Sequence, residues 1–118
     1  MDRSIKDKYP LLFKDKDSKI NLDSRYKKAW QRAREAAAIL KKEYGAKEVW
    51  VFGSLTDKNK FHRKSDIDLA EVGIPDNKFY AAFAAITRQI RDFKIDLVDA
   101  ESCRNVLKKA IVKEGIKV

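Results

Sequence analysis

At 118 residues the chain is long enough for one domain around one core, burying roughly two thirds of the surface its unfolded form exposes. A single cysteine, Cys103, argues against a disulfide framework, no apolar run nears the roughly 18 residues of a membrane span, and no signal peptide is visible, so a reducing cytoplasm is the expected compartment. The net charge of +9 sits at the ends: residues 1–34 hold eleven Lys/Arg against five acids and residues 101–118 hold five against two, while residues 35–100 balance at eleven each.

Residues 1–22 read as a polar extension with a small apolar cluster, Tyr9, Leu11, Leu12 and Phe13, expected to dock as an anchor. The charged run 14–19 reads as a solvated loop; Asp15 and Asp17 lack the glycine and closing Glu of a calcium loop. Residues 23–118 read as the domain itself. A helix is predicted from Asp23 or Ser24 as N-cap to Gly45 just past its end, because Tyr26, Ala29, Trp30, Ala33, Ala37, Leu40 and Tyr44 recur at helical spacing.

Residues 49–52, Val-Trp-Val-Phe, are four large apolar side chains in succession, which predicts an interior strand covered on both faces. Trp30 and Trp50 are read as core. After a basic loop carrying the only histidine, His62, a second strand is predicted to open at Asp66, with Asp68 on the same face and Ile67 and Leu69 on the other. Glu71 falls on the Ile67/Leu69 face, where an apolar residue is expected. A second helix begins near Asp76 behind Pro75, with Phe79, Phe83, Ile86 and Ile90 on one stripe.

A third strand follows over residues 94–99, placing Asp96 and Val98 on one face and Ile95 and Leu97 on the other. The last helix runs from about Ser102 to Glu114, with Val106, Leu107, Ala110 and Ile111 inward and Gly115 as its stop. A short strand at 116–118 closes the chain. This order predicts an α/β (α+β) fold: a small mixed β-sheet with helices packed on it.

The chemistry concentrates between residues 49 and 74. Gly53 permits a tight turn with the backbone close to a ligand, and Ser54 offers a hydroxyl and an amide to a phosphate oxygen. Asp is depleted in strands, so Asp66-Ile67-Asp68 opening an Ile/Leu strand needs a reason, and two carboxylates on one face suit Mg²⁺ beside phosphates. Asp96 can meet them from the third strand. Three acids, a Gly-Ser turn and no evident nucleophile point to phosphoryl or nucleotidyl transfer, in which two cations about 3.5–4 Å apart stabilise the attacking and leaving oxygens. His62 in its loop and Cys103 near a helix start are read as structural or solvated.

Gly53-Ser54, a linker and Ser65-Asp66-Ile67-Asp68-Leu69, followed by Ile95-Asp96-Leu97-Val98-Asp99-Ala100 and Glu114-Gly115-Ile116-Lys117-Val118, resemble the minimal nucleotidyltransferase domains of the DNA polymerase beta superfamily. The resemblance spans roughly residues 26–118. It implies that Asp66, Asp68 and Asp96 are the catalytic, metal-binding residues for two Mg²⁺ ions, that Gly53 and Ser54 contact the nucleotide, and that Asp99 is not catalytic. Eleven residues separate Gly-Ser from the first aspartate where relatives usually have ten, and Leu55-Thr56-Asp57-Lys58 stands where relatives often have Ala-Arg-Gly. The phosphate contact of that arginine then falls to Lys58, Lys60 or Arg63.

Stand-alone domains of this kind are often antitoxins paired with HEPN-domain toxins, so the resemblance implies a HEPN-type partner and transfer of AMP from ATP to a tyrosine hydroxyl of that partner. Two other readings stay open: a degenerate module that neutralises a toxin by covering it, for which the altered loop 55–64 speaks, and an accessory domain that binds nucleic acid through the basic termini. No membrane partner is expected, and homo- or hetero-oligomers are both compatible with the chain.

Overall fold

A computed structural model describes the backbone of residues 10–118 and the side chains of residues 21–118. The elements, in chain order, are α1 (Pro10–Glu43), β1 (Glu48–Phe52), a 3-10 turn (Gly53–Thr56), β2 (Ile67–Val72), α2 (Asp76–Gln89), β3 (Ile95–Asp99), α3 (Asn105–Glu114) and β4 (Ile116–Lys117). They form a four-stranded sheet in the order β3-β2-β1-β4. β1 pairs antiparallel with β2 and β4, while β2 and β3 run parallel. The expected mixed sheet with helices on it is therefore the observed architecture.

Helix α1 starts at Pro10 rather than at Asp23 or Ser24, so the charged run 14–19 is helical and not a loop. Lys and Asp in alternation, with no glycine or proline among residues 14–19, carry no helix breaker. The side chains of the Tyr9–Phe13 cluster lie outside the described residues. At the other end Gly45 takes φ +82°, and the Ala46 N–H reaches back to the Leu40 carbonyl at 3.0 Å, which closes the helix end.

Ala29, Ala33, Ala36, Ala37 and Leu40 are all at most 3% exposed, which makes the α1 stripe core as predicted. The methyl side chains let the helix backbone approach the sheet closely, against Val49, Val51, Ile67, Leu69, Ile95 and Leu97. Burying each of these larger aliphatic side chains is worth about 1.5–3 kcal/mol before entropy is counted. Ala82, Ile86 and Ile90 of α2 and its end close the same face. Arg32 ties α1 to the turn after α2, donating from Nε to Asp92 at 3.0 Å.

The opposite face carries a smaller cluster of Phe52, Ala70 and Ile111, with Trp50, Val98, Ala100, Cys103 and Leu107 packed against it. β1 is thus covered on both faces, by α1 on one and α3 on the other, which accounts for its unbroken apolar run. Trp50 is only half-buried because it stands near the edge beside β4.

Helix α3 departs from expectation in two respects. α3 begins at Asn105, three residues beyond the expected Ser102, since residues 99–103 form a turn in which Ser102 and Cys103 both donate to the Asp99 carbonyl. Val106 is not inward but 78% exposed; the helix packs on the sheet through buried Ile111, with Leu107 beside it. Among the described residues no helix is long and apolar enough to cross a membrane.

Candidate functional site

The sheet register builds the site. Phe52 stands opposite Asp68 across the antiparallel β1–β2 pair, and Asp68 opposite Asp96 across the parallel β2–β3 pair, so one row of the sheet reads Phe52, Asp68, Asp96. Residues directly opposite share a face. That face is the one α3 covers, while the next row, Val51, Leu69 and Leu97, points into the core under α1 and α2. Asp66 lies one residue before β2, not in it; the strand begins at Ile67, whose N–H donates to the Lys94 carbonyl at 2.9 Å.

Gly53 follows Phe52 and opens the 3-10 turn with φ +76°. Two constraints demand glycine there. A positive φ strains any residue with a Cβ, and a Cβ at this position would collide with Oδ2 of Asp68. The turn therefore lies directly on the carboxylate. Thr56 donates from Oγ1 back to the Gly53 carbonyl at 2.7 Å, holding the turn closed, and half-buried Ser54 stands within it.

Burial pushes the Asp68 carboxyl up to about 6, and the charges of Asp96, Asp66 and Glu114 add to the shift, with Lys94 opposing it. The sequence-predicted acids thus gather within electrostatic reach of one another, Asp68 half-buried at the centre and Asp96 exposed at the sheet edge. Among the described residues no three His, Cys, Asp or Glu side chains are drawn together closely enough to cage a metal ion. Hard oxygen donors that repel one another nonetheless match Mg²⁺, which keeps waters and typically takes one or two carboxylates plus substrate phosphates instead of an all-protein cage.

Glu114 escaped the sequence reading as a site residue. Its Oε1 accepts the Gly53 N–H at 3.1 Å from the last position of α3. The one available signal was its position in Glu114-Gly115, the motif that ends the chain's family resemblance.

The loop between the turn and β2 is less solvated than its basic composition suggests. Phe61 is buried, and its ring meets Tyr26 of α1 edge-on at 5.2 Å. His62 is exposed, with its Nδ1 accepting the Lys64 N–H at 3.1 Å. Of the cations considered for phosphate contact, Lys58 pairs with Asp23 at 3.5 Å.

Glu71 also finds its explanation. Fully buried on the α1/α2 face, it accepts the Ile74 N–H on Oε2 at 2.9 Å and so closes the turn at Gly73, which takes φ +104°. Burial raises its carboxyl above the usual range. Asp99, opposite Glu71, accepts the Glu101 N–H at 2.9 Å and stands at the far end of β3 from Asp96. A groove of about 500 Å³ at that end, between Phe79, Tyr80, Val98, Asp99, Ser102 and Cys103, includes none of the predicted site residues.

The fold has clear relatives. A mutant of the toxin-antitoxin pair MntA-HpeT superposes with a TM-score of 0.60 at 21% identity, over 72% of this chain and 70% of the other. A toxin-antitoxin structure with AMP-PNP gives a TM-score of 0.56 at 22% identity over 74% and 69%, and the MntA-HepT pair gives 0.56 at 20% over 75% and 69%. At these identities the likeness is one of fold. A search among curated proteins finds none that matches. The family model "Polymerase beta, Nucleotidyltransferase" matches residues 34–118, from within α1 to the end of β4 and including the Gly-Ser turn and all three aspartates. The chain belongs to the polymerase beta nucleotidyltransferase family.

Proposed function

We propose that this protein transfers AMP from ATP to a hydroxyl, a tyrosine of a HEPN-type toxin, and serves as that toxin's antitoxin. The observation that carries the reading is the row Phe52, Asp68, Asp96 with the Gly53 turn lying on it. The structural neighbours support the partner class, since they are toxin-antitoxin pairs, and one of them holds an ATP analogue.

In this reading Asp66, Asp68 and Asp96 are the residues that would hold Mg²⁺, which when bound would supply positive charge to the phosphates and ease deprotonation of the acceptor hydroxyl. Gly53 and Ser54 orient the triphosphate through backbone and hydroxyl. Asp96, the most exposed of the three acids, helps take the proton as the tyrosine oxygen bonds to the α-phosphorus. The bond from that phosphorus to the bridging oxygen of the β-phosphate breaks, and pyrophosphate leaves. Catalysis here is positioning and electrostatics, with no covalent enzyme intermediate.

Co-expression with a HEPN-type toxin tests the reading. The toxin recovered with the wild-type chain gains the mass of one or more AMP groups on tyrosine, and the toxin recovered with Asp96→Ala does not. Unmodified toxin in a tight complex with both chains would support neutralisation by cover instead.

A further inference from the structure

Glu114 is an acid in an expensive place. It is the last residue of α3, where the helix dipole presents negative charge and favours cations. It also stands close enough to Asp68 to repel it. Neither cost is offset by an ion pair of its own among the interactions described, so stability does not explain a carboxylate at this position.

Its placement is nevertheless tightly defined. Gly115, the next residue, donates its N–H to the Ile111 carbonyl at 2.8 Å, and a Cβ there would collide with that same carbonyl oxygen. The backbone then enters β4, which pairs with Val51 and Trp50 of β1. Glu114 is thus held between a helix end and a strand, with its Oε1 on the Gly53 N–H at 3.1 Å. Gly53 is gripped from two sides: Glu114 on its amide and Asp68 against its α-carbon.

We infer that Glu114 is a positioning residue, which fixes the Gly53-Ser54 turn for the nucleotide by accepting the Gly53 amide. The inference rests on the nucleotide reading of the previous section. A hydrogen bond to a charged acceptor is roughly twice as strong as one to a neutral acceptor, which is what the carboxylate contributes at the cost of two unfavourable neighbours. Gln at this position keeps an oxygen acceptor of the same reach, without the charge. Ala keeps nothing.

The test is the dissociation constant of Mg²⁺·AMP-PNP by calorimetry for the wild type, Glu114→Ala and Glu114→Gln, together with the Gly53 amide resonance and the melting temperature of each. Glu114→Ala is expected to weaken binding about tenfold or more and to move the Gly53 amide upfield. Glu114→Gln is expected to weaken it by only about two- to threefold, with the melting temperature unchanged or higher because a charge leaves the helix end. Should Glu114→Ala fail to fold, Glu114→Gln decides alone: a displaced Gly53 amide with weakened binding supports the role, and wild-type binding overturns it. Equal losses in the two variants would overturn it too, since the charge and not the bond to Gly53 would then matter. A folded Glu114→Ala chain that binds like the wild type removes the role of Glu114 but leaves the nucleotide reading standing. A wild-type chain that binds no nucleotide removes both.

Discussion

Asp68 stands directly opposite Asp96 in the parallel β2–β3 pair, two acids side by side on the face that α3 covers. Like charges so placed destabilise a sheet. Under the proposed function this repulsion is the cost of a site built for a cation and a nucleotide.

That expense is measurable. The Asp68 carboxyl lies at about 6 in the folded protein, against an ordinary value of 3.8, so the folded state binds its proton more tightly than the unfolded state does. Stability is therefore present below the ordinary value and lost as pH rises through about 6. Asp68→Asn should stabilise the metal-free protein at pH near 7.5 by about 1 kcal/mol, a figure reduced for the solvent that screens a half-exposed group, and the gain should vanish below the ordinary carboxyl range. Urea unfolding in chelator at the two pH values checks it.

Gly53 should tolerate no side chain. Gly53→Ala meets both a left-handed backbone and the Asp68 carboxylate, and a destabilisation of about 1–3 kcal/mol is expected from such strain. AMP transfer should fall more steeply than stability, because the displaced atoms are those of the site. Chemical denaturation beside a transfer assay separates the two effects.

Glu71 is expected to behave as a structural acid. Its raised carboxyl means that stability falls as pH rises from its ordinary value of 4.5. Glu71→Gln keeps an acceptor for the Ile74 N–H and should therefore be more stable than the wild type in alkaline buffer and similar in mild acid. Glu71→Ala strands that buried N–H and should cost about 1–3 kcal/mol. Neither change should alter nucleotide binding, since Glu71 faces away from the site; thermal melts and a nucleotide titration test both points.

The alanine stripe of α1 sets the spacing between helix and sheet. Ala33, fully buried over the core, has no room for a larger side chain. Ala33→Leu should destabilise by about 1–3 kcal/mol through overpacking, whereas Ala38→Leu on the exposed side of the same helix should be close to neutral. Paired denaturation curves distinguish them.

Much of this was legible in the chain itself. The unbroken apolar run at residues 49–52 named an interior strand, the helical spacing from Tyr26 to Tyr44 named a core helix, and the two-residue period put Asp68 and Asp96 where a parallel pairing brings them together. Other features had no local signal. Helix α1 extends back to Pro10 through a charged run whose composition suits a loop as well as an exposed helix. Val106 satisfies the helical stripe of α3, yet it is exposed, because what a helix face meets is set by tertiary packing and not by periodicity. Glu71 broke the apolar pattern because its partner is a backbone N–H three residues on, not a neighbour across the sheet. Glu114 meets Gly53 from 61 positions away, a contact that no spacing rule anticipates.

The most direct test of the central claim uses ATP labelled either in the α-phosphate or in the γ-phosphate, incubated with Mg²⁺, a HEPN-type toxin and this chain or its Asp68→Ala variant. The account predicts that label from the α-phosphate enters toxin tyrosine with the wild-type chain alone, and that label from the γ-phosphate enters with neither. Incorporation from the γ-phosphate, or undiminished α-label with Asp68→Ala, would contradict it.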